Sequence, residues 1–250
     1  MSAAILEVRG LNKTFGAVVA AKDINVNVMP SARLSLIGSN GAGKTTFVNM
    51  VTGYLKPDSG EVLLDGKPIT GLPPRRITQA GVCRSFQIPQ LCETMTPTEN
   101  ILVSTEIAAG GAPHFFRPAR RRETLAAAAE MLERFGLTEF ANRPVNELPG
   151  GVRKLVDIAM SLAMKPRVLL LDEPTSGVSS EEKFPLMDKV MTALAGEKAA
   201  AIFVEHDMDI VTRYADRVLA FYAGEIIADD APEDVLSDPA VQKYVTGTAR

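Results

Sequence analysis

The chain has 250 residues, 46% of them hydrophobic and 23% charged, with a formal net charge of −3. That length makes one large domain or two small ones and buries a substantial core. The balance excludes a chain that binds polyanions through its overall charge, and no run approaches the ~18–20 apolar residues of a membrane span.

In chain order, MSAAILEVRG has no basic start followed by an apolar run, so no secretory signal is expected. ILEVRG and INVNVMP read as short β-rich segments. RLSLIG is short, apolar and ends in glycine, which marks a buried strand. A helix is expected from about Gly43 to Thr52, stopped near Gly53. EVLLDGKPI reads as a strand and a turn on Asp65-Gly66. LPPRRITQAGV reads as a turn and short helix leading to the strand VCRSFQ. Cys83 lies in that strand and Cys92 follows it; two cysteines make no disulfide framework, so a reducing compartment is the default.

From about Ile88 to Pro166 the pattern becomes helical. TPTENILVS offers Thr98 as an N-cap before Glu99. RETLAAAAEMLERFG, closed by Gly136, and VRKLVDIAMSLAMK are helices by composition and period. RVLLLDEP is then a near-continuous apolar run, as in a strand buried on both faces of a parallel sheet. AAAIFVEHD repeats that pattern, and RVLAFYAGEIIADD reads as a final β-hairpin. The simplest arrangement is a parallel α/β core with a helical insert and no internal repeat. HFFRPARRRE, His114 to Glu123, holds four arginines. Such a run is ordinarily the solvated start of a helix; contact with lipid head groups or a partner is the other reading.

GSNGAGKTT, comprising Gly38, Ser39, Asn40, Gly41, Ala42, Gly43, Lys44, Thr45 and Thr46, matches G-x-x-x-x-G-K-[ST] between a strand and a helix. The glycines let successive N–H groups surround a β-phosphate, and the helix start adds partial positive charge. Lys44 is expected to reach the β- and γ-phosphates, and Thr45 to offer its hydroxyl to Mg²⁺. RVLLLDEPTSG delivers Asp172 to a strand end, where it would hold Mg²⁺ through water. Glu173 is placed to orient or deprotonate an attacking water. His206 follows the strand IFVE and is expected to reach the γ-phosphate; a lone histidine there is otherwise structural. Gln87 follows VCRSF in the same manner and could contact Mg²⁺ or the water. Phe15, near a turn in NKTFG, could stack on a base, or belong to the core.

The order GSNGAGKTT, Gln87, the glycine pair of LPGG, LLLDEP and VEHD resembles the ABC-type ATPases over nearly the whole chain. The resemblance implies an α/β P-loop NTPase fold, an ABC-type nucleotide-binding domain with an antiparallel β subdomain and a helical subdomain insert. The single domain would divide into a core plus β subdomain, about 1–87 and 166–250, and a helical subdomain, about 88–165. It implies hydrolysis of ATP with Mg²⁺ in a head-to-tail pair of chains. Each ATP would lie between one chain's Walker loop and the other chain's signature loop, here Pro149, Gly150 and Gly151. Two transmembrane permease subunits would dock near IPQLCETMTPTEN, placing the chain peripherally at the cytoplasmic face of the plasma (inner) membrane.

ITGLPPRRITQAGVCRSFQ, VEHDMDIV, APEDVLSDPAVQKYVTG and the arginine-rich stretch resemble the ATPase subunits of branched-chain amino acid importers. Those work with a periplasmic solute-binding protein. Related ATPases serve urea, amide or aromatic-acid importers, and the lipopolysaccharide-export ATPase has a similar layout. A soluble ATPase of this fold acting on ribosomes or nucleic acid usually has two cassettes or basic extensions; with one cassette and an acidic balance, no nucleic-acid partner is expected. A non-hydrolysing binding module would not need Asp172, Glu173 and His206 together.

Two motifs depart from the family pattern. The signature is usually Leu-Ser-Gly-Gly-Gln, but here Pro149 replaces the serine and Val152 the glutamine. Proline has neither hydroxyl nor N–H. A charge-assisted hydrogen bond contributes roughly 1.5–3 kcal/mol, so γ-phosphate binding would weaken by about 10- to 100-fold. The loop after the glutamate, usually Gly-Leu-Asp or Gly-Leu-Asn, is Gly177-Val178-Ser179. Both changes fall on elements donated to a neighbour's ATP, whereas Lys44, Thr45, Gln87, Asp172, Glu173 and His206 match the pattern. The expectation is a heterodimer with a second, different ATPase subunit. A homodimer remains the alternative, because members of that subgroup sometimes carry proline at the second signature position.

Overall fold

RLSLI, VLLLD and AAIFV each present apolar residues to both sides, and each is buried almost end to end. Strands of this kind need cover on two faces, and here they form the centre of a six-stranded sheet. The computed structural model describes residues 3–108, 122–195 and 197–247. The strands are β1 (Leu6–Phe15), β2 (Val18–Val28), β3 (Arg33–Ile37), β4 (Ser59–Leu64), β5 (Lys67–Pro68), β6 (Val82–Ser85), β7 (Val168–Asp172), β8 (Ala200–Val204), β9 (Arg217–Tyr222) and β10 (Glu225–Asp230). The helices are α1 (Lys44–Val51), α2 (Pro74–Ala80), α3 (Pro97–Ala108), α4 (Arg122–Arg134), α5 (Gly150–Ala163), α6 (Ser180–Leu194), α7 (Met208–Tyr214), α8 (Pro232–Ser237) and α9 (Pro239–Val241).

One sheet is antiparallel, in the order β2-β1-β4-β5. The other runs β10-β9-β3-β8-β7-β6, parallel from β9 to β6, with β10 an antiparallel edge. In that sheet Leu36, Val204 and Asp172 stand in one row across β3, β8 and β7. The loops after those three strands therefore leave from the same edge, where open α/β sheets bind ligands.

The two-residue period of the strands divides the core. Val168, Leu170, Ala200, Ile202 and Val204 face a cluster shared with β1, β4 and α1. Leu169, Leu171, Ala201 and Phe203 face the other side, against α3, α4, α5 and α6. Phe47 of α1 packs on Phe221 of β9, with ring centroids 5.7 Å apart, so the helix after the phosphate loop is anchored in the first cluster. Val235 of α8 and Val241 of α9 cover Val218 and Ala220 of β9.

One expected boundary moves. Helix α3 begins at Pro97, and its cap is Thr96 rather than Thr98. Thr96 Oγ1 accepts from the Glu99 N–H at 3.2 Å, while Glu99 Oε2 accepts from the Thr96 N–H at 3.0 Å. Thr96-x-x-Glu99 is a capping box, and proline suits the first helical position. The Thr98 hydroxyl instead donates to Ala141 O at 2.7 Å. Of the arginine-rich run, residues 114–121 lie outside the described residues; Arg122 and Glu123 open α4. No described helix is long and apolar enough to cross a membrane.

Candidate nucleotide site

The loop from Gly38 to Gly43 joins β3 to α1. Gly43 has φ +111°, and a Cβ there would stand 2.6 Å from Ala20 O of β2, so only glycine lets the loop pass so close to the antiparallel sheet. Lys44 is buried, and its Nζ donates to Gly38 O at 2.5 Å and Ser39 O at 3.1 Å. It is thus folded onto its own loop. Burial pushes its ammonium pKa down, against the opposing pull of the Glu173 and Asp172 carboxylates. Thr45 is exposed beside it. Asn40, Gly41, Ala42, Gly43, Lys44, Thr45 and Thr46, with Glu173, Val204 and His206, line a cleft of ≈ 110 Å³.

At the end of β7 the backbone turns sharply. Glu173 has φ +46°, a left-handed conformation that costs a non-glycine residue of the order of 1–3 kcal/mol. Its N–H donates to Val204 O of β8 at 3.1 Å, which holds the turn. The Glu173 carboxylate is then shared: Oε2 accepts from Gln87 Nε2 at 2.7 Å, and Oε1 lies 3.2 Å from His206 Nε2. Residues from the ends of β6, β7 and β8 are thereby gathered on one carboxylate, at the edge of the cleft lined by the phosphate loop.

Two residues in the site went unremarked in the sequence. Arg84 of β6 donates Nη2 to Asp172 Oδ2 at 2.5 Å and Nη1 to Asn49 Oδ1 of α1 at 2.7 Å. Its guanidinium lies over the rings of Phe86, 4.8 Å from the centroid, and Tyr54, 5.8 Å. The signal was a basic residue inside the apolar strand VCRS, since a buried arginine requires a partner. Glu205, between Val204 and His206, is buried; its Oε1 accepts from the Thr175 N–H at 3.1 Å and from Thr175 Oγ1 at 2.8 Å. Burial pushes its carboxyl pKa up, against those hydrogen bonds. It ties the turn after Glu173 to the turn before His206.

The remaining expected residues lie apart. Phe15, at the end of β1, is 50% exposed, with Lys13 Nζ 5.6 Å from its ring centroid, and does not line the cleft. Pro149 precedes α5 without a side-chain cap. A Cβ placed on Gly150 or Gly151 would meet none of the described residues within 4 Å, and neither has positive φ. Gly177 also opens on empty space. The Ser179 hydroxyl donates to Glu182 Oε2 at 3.0 Å at the start of α6.

A parallel sheet that carries a phosphate loop and a strand-end glutamate to one cleft belongs to the P-loop class of nucleoside triphosphatases. The ABC transporter family profile matches residues 21–176, more than half of the chain. The chain is 38% identical to the high-affinity branched-chain amino acid transport ATP-binding protein BraF of Pseudomonas aeruginosa, over 100% of both. It is 36% identical to the corresponding protein LivG of Escherichia coli K12, again over 100% of both. The crystal structure of the ADP conformation of MJ1267, an ATP-binding cassette of an ABC transporter, superposes with a TM-score of 0.85 at 33% identity, covering 97% of this chain and 98% of that one. The chain belongs to the ABC transporter family, as an ATP-binding, ATP-hydrolysing cassette.

Proposed function

We propose that this chain is the ATPase subunit that energises uptake of branched-chain amino acids or a related small polar or organic-acid solute, at the cytoplasmic face of the plasma membrane. Full-length identity to two branched-chain amino acid transport ATP-binding proteins supports the solute class. The hydrolytic role rests on one observation: the Glu173 carboxylate is held from two sides by Gln87 and His206.

In this reading the Gly38–Thr46 backbone and Lys44 bind the phosphates, Lys44 exchanging its two loop carbonyls for them. Thr45 and Asp172 fit Mg²⁺. Among the described residues no group of three or more His, Cys, Asp or Glu is placed to hold a metal ion, and one hydroxyl with one carboxylate suits a cation that keeps most of its waters. When bound, Mg²⁺ neutralises charge on the phosphates. Gln87 positions the water, Glu173 takes its proton, and His206 fixes the carboxylate that does so. Phe15 stacks on the base from outside the cleft.

Among the described residues, none fills the space beside Gly150, Gly151 or Gly177, and none demands glycine at Gly150 or Gly151. That supports a second chain closing over them. Pro149-Gly150-Gly151 would then serve the neighbour's ATP. The neighbour would be a different ATPase subunit with a regular signature, and the site built on this chain's Lys44 and Glu173 would be the faster one. Two permease subunits would dock at residues 88–100, where Ile88 and Met95 are exposed, and a periplasmic solute-binding protein would act on the far side. The division into a core plus β subdomain (about 1–87 and 166–250) and a helical subdomain (about 88–165) belongs to the same proposal.

The test is co-purification of the tagged chain from its native host in mild detergent. A second, distinct ATPase with two membrane subunits is expected. Recovery as a homodimer with exporter subunits would overturn both the importer reading and the single fast site.

A further inference from the structure

Helix α5 does more than follow the signature loop. Lys154 is 2% exposed, and its Nζ donates to Phe86 O at 2.9 Å, Gln87 O at 2.8 Å and Asp172 O at 3.4 Å. Asp157, one turn on and 5% exposed, accepts from Ser85 Oγ at 2.5 Å through Oδ2 and from the Gln90 N–H at 3.0 Å through Oδ1. Ser161, a further turn on, donates to Arg84 O at 3.3 Å. Positions 154, 157 and 161 share one face of a helix. That face grips the chain on both sides of Gln87, where residues 86–93 form no strand or helix and the backbone needs partners from elsewhere. Asp157 and Asp172 act on this buried ammonium from nearby, but among the described residues its direct partners are three carbonyls, a costly arrangement for mere packing.

We propose that Lys154 and Asp157 clamp the signature helix to the Gln87 loop and to the end of β7, so that seating Pro149–Gly151 on one nucleotide sets Gln87 and Glu173 over the other. Lys154 is a positioning residue: it touches no reacting atom and acts through the backbone of Gln87 and Asp172. The clamp rests on the proposed two-chain arrangement, since only there do α5 and Gln87 serve different nucleotides.

The test compares Lys154→Met and Lys154→Arg in the assembled transporter. Loss of hydrogen bonds to a charged donor should lower kcat about 10- to 100-fold in the Met variant, with KM for ATP within about 2-fold. Amide exchange at residues 84–90 should quicken while the 38–46 loop stays as in the parent. The Arg variant, which keeps charge and donors, should recover most of kcat. Asp157→Asn is the second variant, with a smaller fall in kcat and the same local exchange, and it serves if Lys154→Met does not fold. Parent-like kcat in both Lys154→Met and Asp157→Asn, faster exchange throughout the chain, or a rise in KM alone would overturn the clamp. ATP-driven association of the Glu173→Gln chain with the second ATPase subunit that co-purifies with it, read by sizing, reports the two-chain arrangement separately. Its failure would overturn that arrangement and with it the cross-site role, whereas association that persists in a Glu173→Gln/Lys154→Met chain supports a clamp that acts on positioning and not on assembly.

Discussion

The two halves of the nucleotide machinery are built differently. The half proposed to face this chain's own ATP is internally bonded. Lys44 lies on Gly38 and Ser39, Asp172 on Arg84, and Glu173 between Gln87 and His206. The half proposed to face the neighbour's ATP is open: Pro149 makes no side-chain cap, and Gly150, Gly151 and Gly177 look onto empty space. Under the proposed assignment the contrast teaches that residues acting on a chain's own ligand are held before it arrives, while residues meant for a partner are left open in the single chain.

The comparison breaks most directly at Glu173. Glu173→Gln should lower ATP turnover about 10²- to 10⁴-fold, the usual contribution of a positioned base, with ATP binding retained. Turnover close to the parent rate would remove Glu173 as the base and the bonded half as the catalytic one.

Next is the pair that organises the bonded half. Arg84 and Asp172 have side chains 9% and 14% exposed, and removing one partner of a buried pair costs about 3–5 kcal/mol. Arg84→Met should therefore lower the thermal midpoint by roughly 6–20 °C in a chain of this size. A midpoint within a degree or two of the parent would show that the half is not held together by this pair.

The open half is sharpened by restoring its polar groups. With this chain's own site silenced by Glu173→Gln, adding Pro149→Ser and Val152→Gln in the assembled transporter should raise turnover at the opposite site. The gain should be about 10- to 100-fold, one charge-assisted hydrogen bond. An unchanged rate would mean that LPGGV serves the neighbour as it stands.

The smallest effect reports packing alone. Cys83 is buried, which pushes its thiol pKa up to about 12, while Cys92 is exposed. At pH 8 a thiol reagent should titrate one cysteine in the native chain and the second only in denaturant. Two fast thiols would show that β6, and so the platform under Gln87, opens readily.

Much of the site was legible before any coordinates. GSNGAGKTT has the spacing of a phosphate-binding loop and does join a strand to a helix, and RVLLLDEP and AAAIFVEHD are strands marked by apolar runs that end in candidate site residues. The order of these motifs along the chain carried the family. The start of α3 was misread by two residues because two threonines compete there, and the Thr96–Glu99 box decides between them. Arg84, Glu205 and Lys154 were not legible as parts of the site. Each is a charged residue in or beside a largely apolar run, and its partners lie far along the chain: Asp172 for Arg84, Thr175 for Glu205, Phe86 and Gln87 for Lys154.

By itself, then, the sequence determined which loop and side chains are candidates for phosphate, which acids end the strands, and which family they compose. These are local facts, set by residue type and spacing within a few positions. The tertiary structure decided the strand order that brings β3, β8 and β7 side by side, the sharing of Glu173 by Gln87 and His206, and the grip of α5 on the Gln87 loop. Those depend on contacts between residues 32–168 positions apart, and the hydrophobic burial that enforces them has no direction along the chain.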